Sequence, residues 1–170
     1  MGDYARAISY LEKGTALLEN NLGKKHSDYA AALNVLADVY FAKGAYAYTI
    51  DLAKKALEIH REVGEKHPES VASMIVLGKA YIMIGDYASA EGLLQEALDN
   101  AKHGLGETHN DYAEIMYLLG VLYDKKDDFS RSKEYYLQAL DTYAKIYSTL
   151  HPKYVATMNS LGELYQKSHQ

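Results

Sequence analysis

Apolar residues recur along this chain at three- and four-residue steps, as in Leu33, Leu36, Ala37 and Tyr40, and again in Met74, Leu77, Gly78 and Tyr81. Steps of that size line one face of an α-helix, whereas a half-exposed strand would alternate every second residue. The pattern returns at a fixed interval: His26, His67, His109 and His151 are 41, 42 and 42 residues apart, and Tyr40, Tyr81, Tyr123 and Tyr165 keep the same steps. The chain is therefore four copies of one unit, with boundaries expected at 2–43, 44–84, 85–126 and 127–170. The copies open on GDYARAISYL, GAYAYTIDLA, GDYASAEGLL and DDFSRSKEYY; their later halves read HSDYAAALNVLADVY, HPESVASMIVLGKAY, HNDYAEIMYLLGVLY and HPKYVATMNSLGELY.

Each copy predicts two helices, so about eight in all, packed as antiparallel pairs. Gly44 and Gly85 break the chain after one helix of a unit, and Gly23, Gly64 and Gly106 after the other, where glycine accepts a left-handed cap. Pro68 and Pro152 suit a first helical position, where a missing N–H loses no partner. The four repeated histidines are expected to cap or pack at helix starts.

The most apolar stretch, Ser70 to Gly85, contains one charge, Lys79, in sixteen residues. It is shorter than the ~20 residues that cross a bilayer and is bounded by Pro68 and Gly85, so a buried helix is expected and no membrane insertion. Cysteine is absent, which excludes disulfides and thiolate sites and agrees with a reducing, cytoplasmic setting. The net charge is −5, the wrong sign for a partner of nucleic acid. The whole excess falls in Gly85 to Lys126, with eight acidic side chains against three basic ones.

Leu77-Gly78-x-x-Tyr81, Leu119-Gly120-x-x-Tyr123 and Leu161-Gly162-x-x-Tyr165, together with Gly85, Tyr87 and Ala90, resemble the tetratricopeptide repeat, with the tryptophan position held by Leu33, Met74, Met116 and Met158. A period near 42 residues is similar to the long repeats of kinesin light chains and their relatives. The resemblance implies an all-α, right-handed superhelical solenoid of antiparallel helix pairs, spanning residues 1–170 as one domain. The first copy starts with a second-type helix, and the chain is expected to be an excerpt of a longer array or larger protein. The resemblance also implies an adaptor that takes peptide motifs on its inner face through asparagines and basic residues; here the paired asparagines of that family reduce to Asn34 and Asn159.

Advancing 100° per residue sets the core stripe against the partner helix and leaves an inner surface on the opposite side of each first helix. The first repeat contributes Asn34, Val35, Asp38 and Phe41; the second Ile75, Val76, Lys79, Ile82 and Met83; the third Tyr117, Leu118, Val121 and Lys125; the last Asn159, Ser160, Glu163 and Lys167. An apolar centre with polar ends is how interaction surfaces concentrate binding energy, so these residues are expected to hold a peptide or an amphipathic helix. Tyr117 is the expected aromatic anchor, the asparagines would meet ligand backbone, and Lys79 and Lys125 would meet carboxylates. The alternative is a structural array whose groove is filled by its own chain or by a second copy, giving a homo-oligomer.

No constellation for chemistry is expected. The repeated histidines stand one structural unit apart and cannot converge on one metal ion. HGLGETH lacks the strand and the Lys-Ser/Thr of a phosphate loop, and no nucleophile elbow occurs. The chain is accordingly read as a non-enzyme without metal or cofactor.

Overall fold

The computed structural model describes residues 3–63, 68–147 and 149–168. Among the described residues there are eight α-helices and no strand: α1 (Tyr4–Leu22), α2 (Ser27–Ala42), α3 (Tyr46–Val63), α4 (Pro68–Ile84), α5 (Tyr87–Gly104), α6 (Asn110–Lys125), α7 (Phe129–Ile146) and α8 (Pro152–Ser168). Pro68 and Pro152 stand at first helical positions, as their missing N–H requires.

The helix starts follow from the histidines. His26 Nδ1 accepts from the Asp28 backbone N–H at 3.2 Å, His109 Nδ1 from Asp111 at 3.2 Å, and His151 Nδ1 from Lys153 at 3.3 Å. Each ring thus satisfies one of the orphan donors of a first turn, a task more often given to Ser, Thr, Asp or Asn. His67 and Gly64 lie outside the described residues.

The first-type helices α2, α4 and α6 end alike. The N–H groups of Ala45, Asp86 and Asp128 reach back to the carbonyls of Tyr40, Tyr81 and Tyr123 at 2.9, 3.0 and 2.9 Å, the long bond of a Schellman cap. That cap needs a residue at positive φ, supplied by Gly44 (81°) and Gly85 (80°). After α6 Asp127 takes the place with φ 57°, the one positive-φ residue other than glycine among the described residues.

The helices gather into two compact units, Met1–Asp86 with α1 to α4 and Tyr87–Gln170 with α5 to α8. In the first unit Ala30, Leu33 and Ala56 form a buried cluster with Tyr29, Leu52 and Ile59 packed on it, and Thr49 Oγ1 lies 3.3 Å from the Ala37 carbonyl. In the second, Tyr136, Leu140, Leu161 and Leu164 form the cluster, with Tyr117, Val121, Phe129 and Tyr154 against it. Ser132 Oγ donates to the Gly120 carbonyl at 2.9 Å, so both units tie a small hydroxyl residue of the second-type helix to the same point of the first. No described helix is long and apolar enough to cross a membrane.

Candidate functional site

In the first unit the inner positions divide sharply. Val35 and Met83 are half-exposed, Asp38 is exposed, and Phe41 is half-buried with its ring 5.5 Å from that of Tyr46. Ile75, Val76 and Ile82 are buried, at 6 %, 4 % and 6 % exposure, and Lys79 is half-buried. Asn34 is buried too: its amide donates to Ser73 Oγ at 2.8 Å, while its carbonyl oxygen has no hydrogen-bond partner among the described residues. An amide so placed orders the packing of α2 on α4 before it serves a ligand.

Ser73 belongs to a polar row through this unit. Its Oγ lies 3.0 Å from His60 Nδ1, and His60 Nε2 lies 3.4 Å from Glu69 Oε2; Glu69 also accepts from the Ser27 hydroxyl. Serine, histidine and carboxylate stand here in the order of a hydrolytic triad. Ser73 is fully buried and His60 nearly so, leaving no room for a substrate carbonyl within bonding distance of Oγ. The row is a buried hydrogen-bond network joining α2, α3 and α4.

In the second unit Leu118 is buried at 6 % and Tyr117 and Val121 are half-buried, whereas Lys125, Asn159 and Glu163 are exposed. Of the seven apolar residues expected to form an exposed centre, Ile75, Val76, Ile82 and Leu118 are therefore packed inside the folded chain. Helical periodicity fixes the face a side chain occupies but not how closely the next helix approaches that face, and apolar groups within reach of one another close up.

What remains open is more local. Between α6 and α8 lies a cavity of about 140 Å³ lined by Glu114, Tyr117, Tyr143, Lys153, Ala156 and Thr157. Tyr143 comes from α7 and reaches up from the core; Tyr117 is braced on Tyr136 with ring centres 5.8 Å apart. Lys153 closes one edge. Its Nζ is 2.5 Å from Glu114 Oε2 and 2.9 Å from Asn110 Oδ1, and it stands 5.9 Å from the centre of the Tyr143 ring. Tyr147 donates to the same Asn110 oxygen at 3.1 Å. Burial, and then the nearby Glu114 charge, pushes the Tyr143 phenol well above its usual range, so the ring faces the cavity as a neutral hydroxyl. Further along, Lys167 pairs with Asp124 at 2.8 Å and ties the distal ends of α6 and α8.

Of the expected site residues only Tyr117 lines this cavity. Lys153, Glu114 and Tyr143 were missed, yet two of them carry a signal. The place of Lys153 is acidic in the other copies (Asp28, Glu69, Asp111), and the place of Glu114 is alanine in the others (Ala31, Ala72, Ala156). Both partners of the pair break the repeat, each in the direction that makes the other tolerable. Among the described residues no group of His, Cys, Asp or Glu side chains is gathered as a metal site.

The tetratricopeptide-repeat family profile matches residues 49–103 and 113–147. No curated protein matches the chain. Among solved structures the fold is similar to BtubC (BKLC) from P. vanneervenii, at TM-score 0.83 and 23% identity over 99% of this chain and 67% of that one. It is similar to kinesin light chain-type, nearly identical TPR-like repeats from Podosopora anserina, at TM-score 0.78 and 24% identity over 99% of this chain and 80% of that one. It is also similar to a Rap protein complexed with competence and sporulation factor, at TM-score 0.85 and 18% identity, covering 98% of this chain and 45% of that one. With eight helices among the described residues, the same cap closing α2, α4 and α6, and family profiles over residues 49–103 and 113–147, the chain belongs to the tetratricopeptide-repeat family.

Proposed function

We propose that this chain is a protein-interaction scaffold and that its α6–α8 face holds a peptide segment by one apolar side chain. Stacked helical repeats offer extended recognition surfaces, and the Rap protein of the same fold was solved with a bound factor. The cavity between α6 and α8 carries the reading. At about 140 Å³ it is smaller than the roughly 300–1,000 Å³ of sites for drug-sized molecules and cofactors. It suits a single aliphatic or aromatic side chain presented by a larger partner.

The mechanism is an anchor with a polar edge. The ligand's apolar side chain enters between the Tyr117 and Tyr143 rings, where rigid aromatics give contact area at little cost in conformational freedom. Lys153, held by Glu114 and Asn110, offers its remaining donor to a carbonyl or carboxylate beside the anchor. Asn159, one turn beyond Ala156, meets ligand backbone, and Lys125, two turns beyond Tyr117, meets acidic flanking residues.

Selection of a random peptide library on the chain tests this. Ala156→Trp fills the cavity from an exposed position. Selected peptides are expected to share one large apolar residue and to lose at least about tenfold in affinity on that variant. Peptides that bind wild type and Ala156→Trp equally would refute it.

A further inference from the structure

Within the second unit α7 docks on α6 through a defined set of contacts. The Tyr136 ring covers Gly120, the Ser132 hydroxyl bonds to the Gly120 carbonyl, and Tyr135 stacks on Tyr123 with ring centres 5.5 Å apart and 9° between the planes. The Arg131 guanidinium lies 4.1 Å from the centre of the Tyr123 ring. Asp128 holds that arginine: Oδ1 accepts from the Arg131 N–H at 3.0 Å and Oδ2 lies 2.6 Å from Nε. Beneath them Met116 is 6 % exposed and Tyr123 3 %. In the first unit Tyr48 of α3, at the place of Arg131, covers the equivalent tyrosine instead, stacked on Tyr40 of α2 with ring centres 5.1 Å apart.

The last helix carries the receiving half of this arrangement. Met158, Gly162 and Tyr165 of α8 stand 42 residues after Met116, Gly120 and Tyr123. Here Met158 is 48 % exposed and Tyr165 42 %, Val155 beside them is exposed, and a Cβ on Gly162 would meet nothing within 4 Å. Lys133 lies 5.3 Å from the centre of the Tyr165 ring.

The first helix carries the docking half. Asp3, Arg6, Ala7, Tyr10 and Leu11 occupy the places of Asp128, Arg131, Ser132, Tyr135 and Tyr136. The resemblance extends to geometry: Asp3 Oδ1 accepts from the Arg6 N–H at 3.1 Å and Oδ2 lies 3.0 Å from Arg6 Nε. Tyr10 is 74 % exposed, and Arg6 is exposed beside it. An arginine and a tyrosine are thus presented in the arrangement that covers Tyr123, while an equivalent tyrosine stands uncovered on α8.

We infer that α1 of one copy of this chain docks on α8 of another, Arg6 and Tyr10 covering Tyr165 and Leu11 lying over Gly162, as α7 docks on α6. Arg6 meets the electron-rich face of Tyr165, and the stripe of α8 loses its contact with water. The interface joins two different surfaces, so it is heterologous: a pair of copies still has one free α1 and one free α8 between them, and association propagates in a series or closes in a ring. Joining separate chains costs translational and rotational freedom that the α6–α7 contact does not. Leu11 also fills less space than Tyr136. The assembly is therefore dependent on concentration.

Sedimentation velocity on the 170-residue chain from about 10 µM to about 1 mM tests it. Wild type is expected to rise above the monomer mass as concentration increases. Tyr165→Glu alone, and Arg6→Glu with Tyr10→Glu, are each expected to weaken association at least about tenfold. Mixed together, those two variants are expected to pair one to one and stop at two chains, because one keeps an intact α1 and the other an intact α8. Gly162→Gln, which puts a good helix former where the monomer has open space, is expected to keep or raise the melting temperature while blocking association. A wild type that stays monomeric throughout would overturn the inference, leaving the stripe to some other partner. So would variants that associate as wild type does, or a mixture of the two end variants that stays monomeric.

Discussion

The ring of Tyr136 occupies the space that a side chain on Gly120 would need: a Cβ there would come within 2.5 Å of Cδ1 and 2.6 Å of Cε1. Tyr136 is almost fully buried and the close atoms belong to the body of its ring, so neither partner can give way cheaply. Gly120→Ala is expected to destabilise the second unit by about 1–3 kcal/mol in urea unfolding. Gly162→Ala, at the same place in α8 with nothing within 4 Å, is expected to stabilise by roughly 0.5–1 kcal/mol. Equal effects at the two glycines would contradict the packing described for α7 on α6.

Asp127 holds a left-handed cap that glycine holds in the two preceding units. A residue with a Cβ is strained in that conformation by about 1–2 kcal/mol. Asp127→Gly is expected to raise stability by up to about 1 kcal/mol despite giving the unfolded chain more freedom, seen as a higher thermal midpoint.

Lys153 is a cation in the first turn of α8, the end of a helix that favours anions. Glu114 compensates it across the cavity edge. Lys153→Glu is expected to cost about 1 kcal/mol, since like charges then face one another. The double variant Glu114→Lys with Lys153→Glu is expected to recover wild-type stability or exceed it, because the acid now sits at the favourable helix end. Additive losses in a double-mutant cycle would show that the two side chains do not interact.

Three tyrosines fix the alkaline limit of the second unit. Burial first, and then the hydrogen bond to the Glu91 carboxylate, pushes the Tyr123 phenol up to about 12; burial pushes Tyr136 and Tyr143 up as well. The fold favours their neutral forms, so the stability they contribute is complete below the ordinary tyrosine value near 10 and is lost as pH rises from there through 12 and beyond. Absorbance at 295 nm is expected to show a main wave near pH 10 and a delayed one that coincides with loss of helix, merging into one wave in urea. A single wave near pH 10 with the helices intact would contradict this.

The fold was legible because a repeat states each of its rules four times. The spacing of Leu33, Leu36, Ala37 and Tyr40 marks helix and core stripe together, and the histidines at helix starts follow from the junctions they occupy. Asp127 as a left-handed cap was not visible, since aspartate at that place reads equally well as an ordinary turn residue. The site was legible only in part. Tyr117 lines the cavity on the face its spacing assigns to it, but Ile75, Val76, Ile82 and Leu118 are buried because inner-face position carries no information on how closely neighbouring helices approach. Tyr143 enters the cavity from α7, a helix whose own periodicity assigns it to the core. Lys153 and Glu114 are visible in the sequence as a matched pair of departures from the repeat.

The proposed ligand places an apolar side chain between Tyr117 and Tyr143, beside Lys153. A crystal structure of the chain with a peptide selected on it measures this directly. A large apolar side chain is expected inside the cavity, in contact with both rings and Ala156, with a peptide oxygen within hydrogen-bonding distance of Lys153 Nζ. A peptide seated elsewhere, with the α6–α8 cavity unfilled, would contradict it.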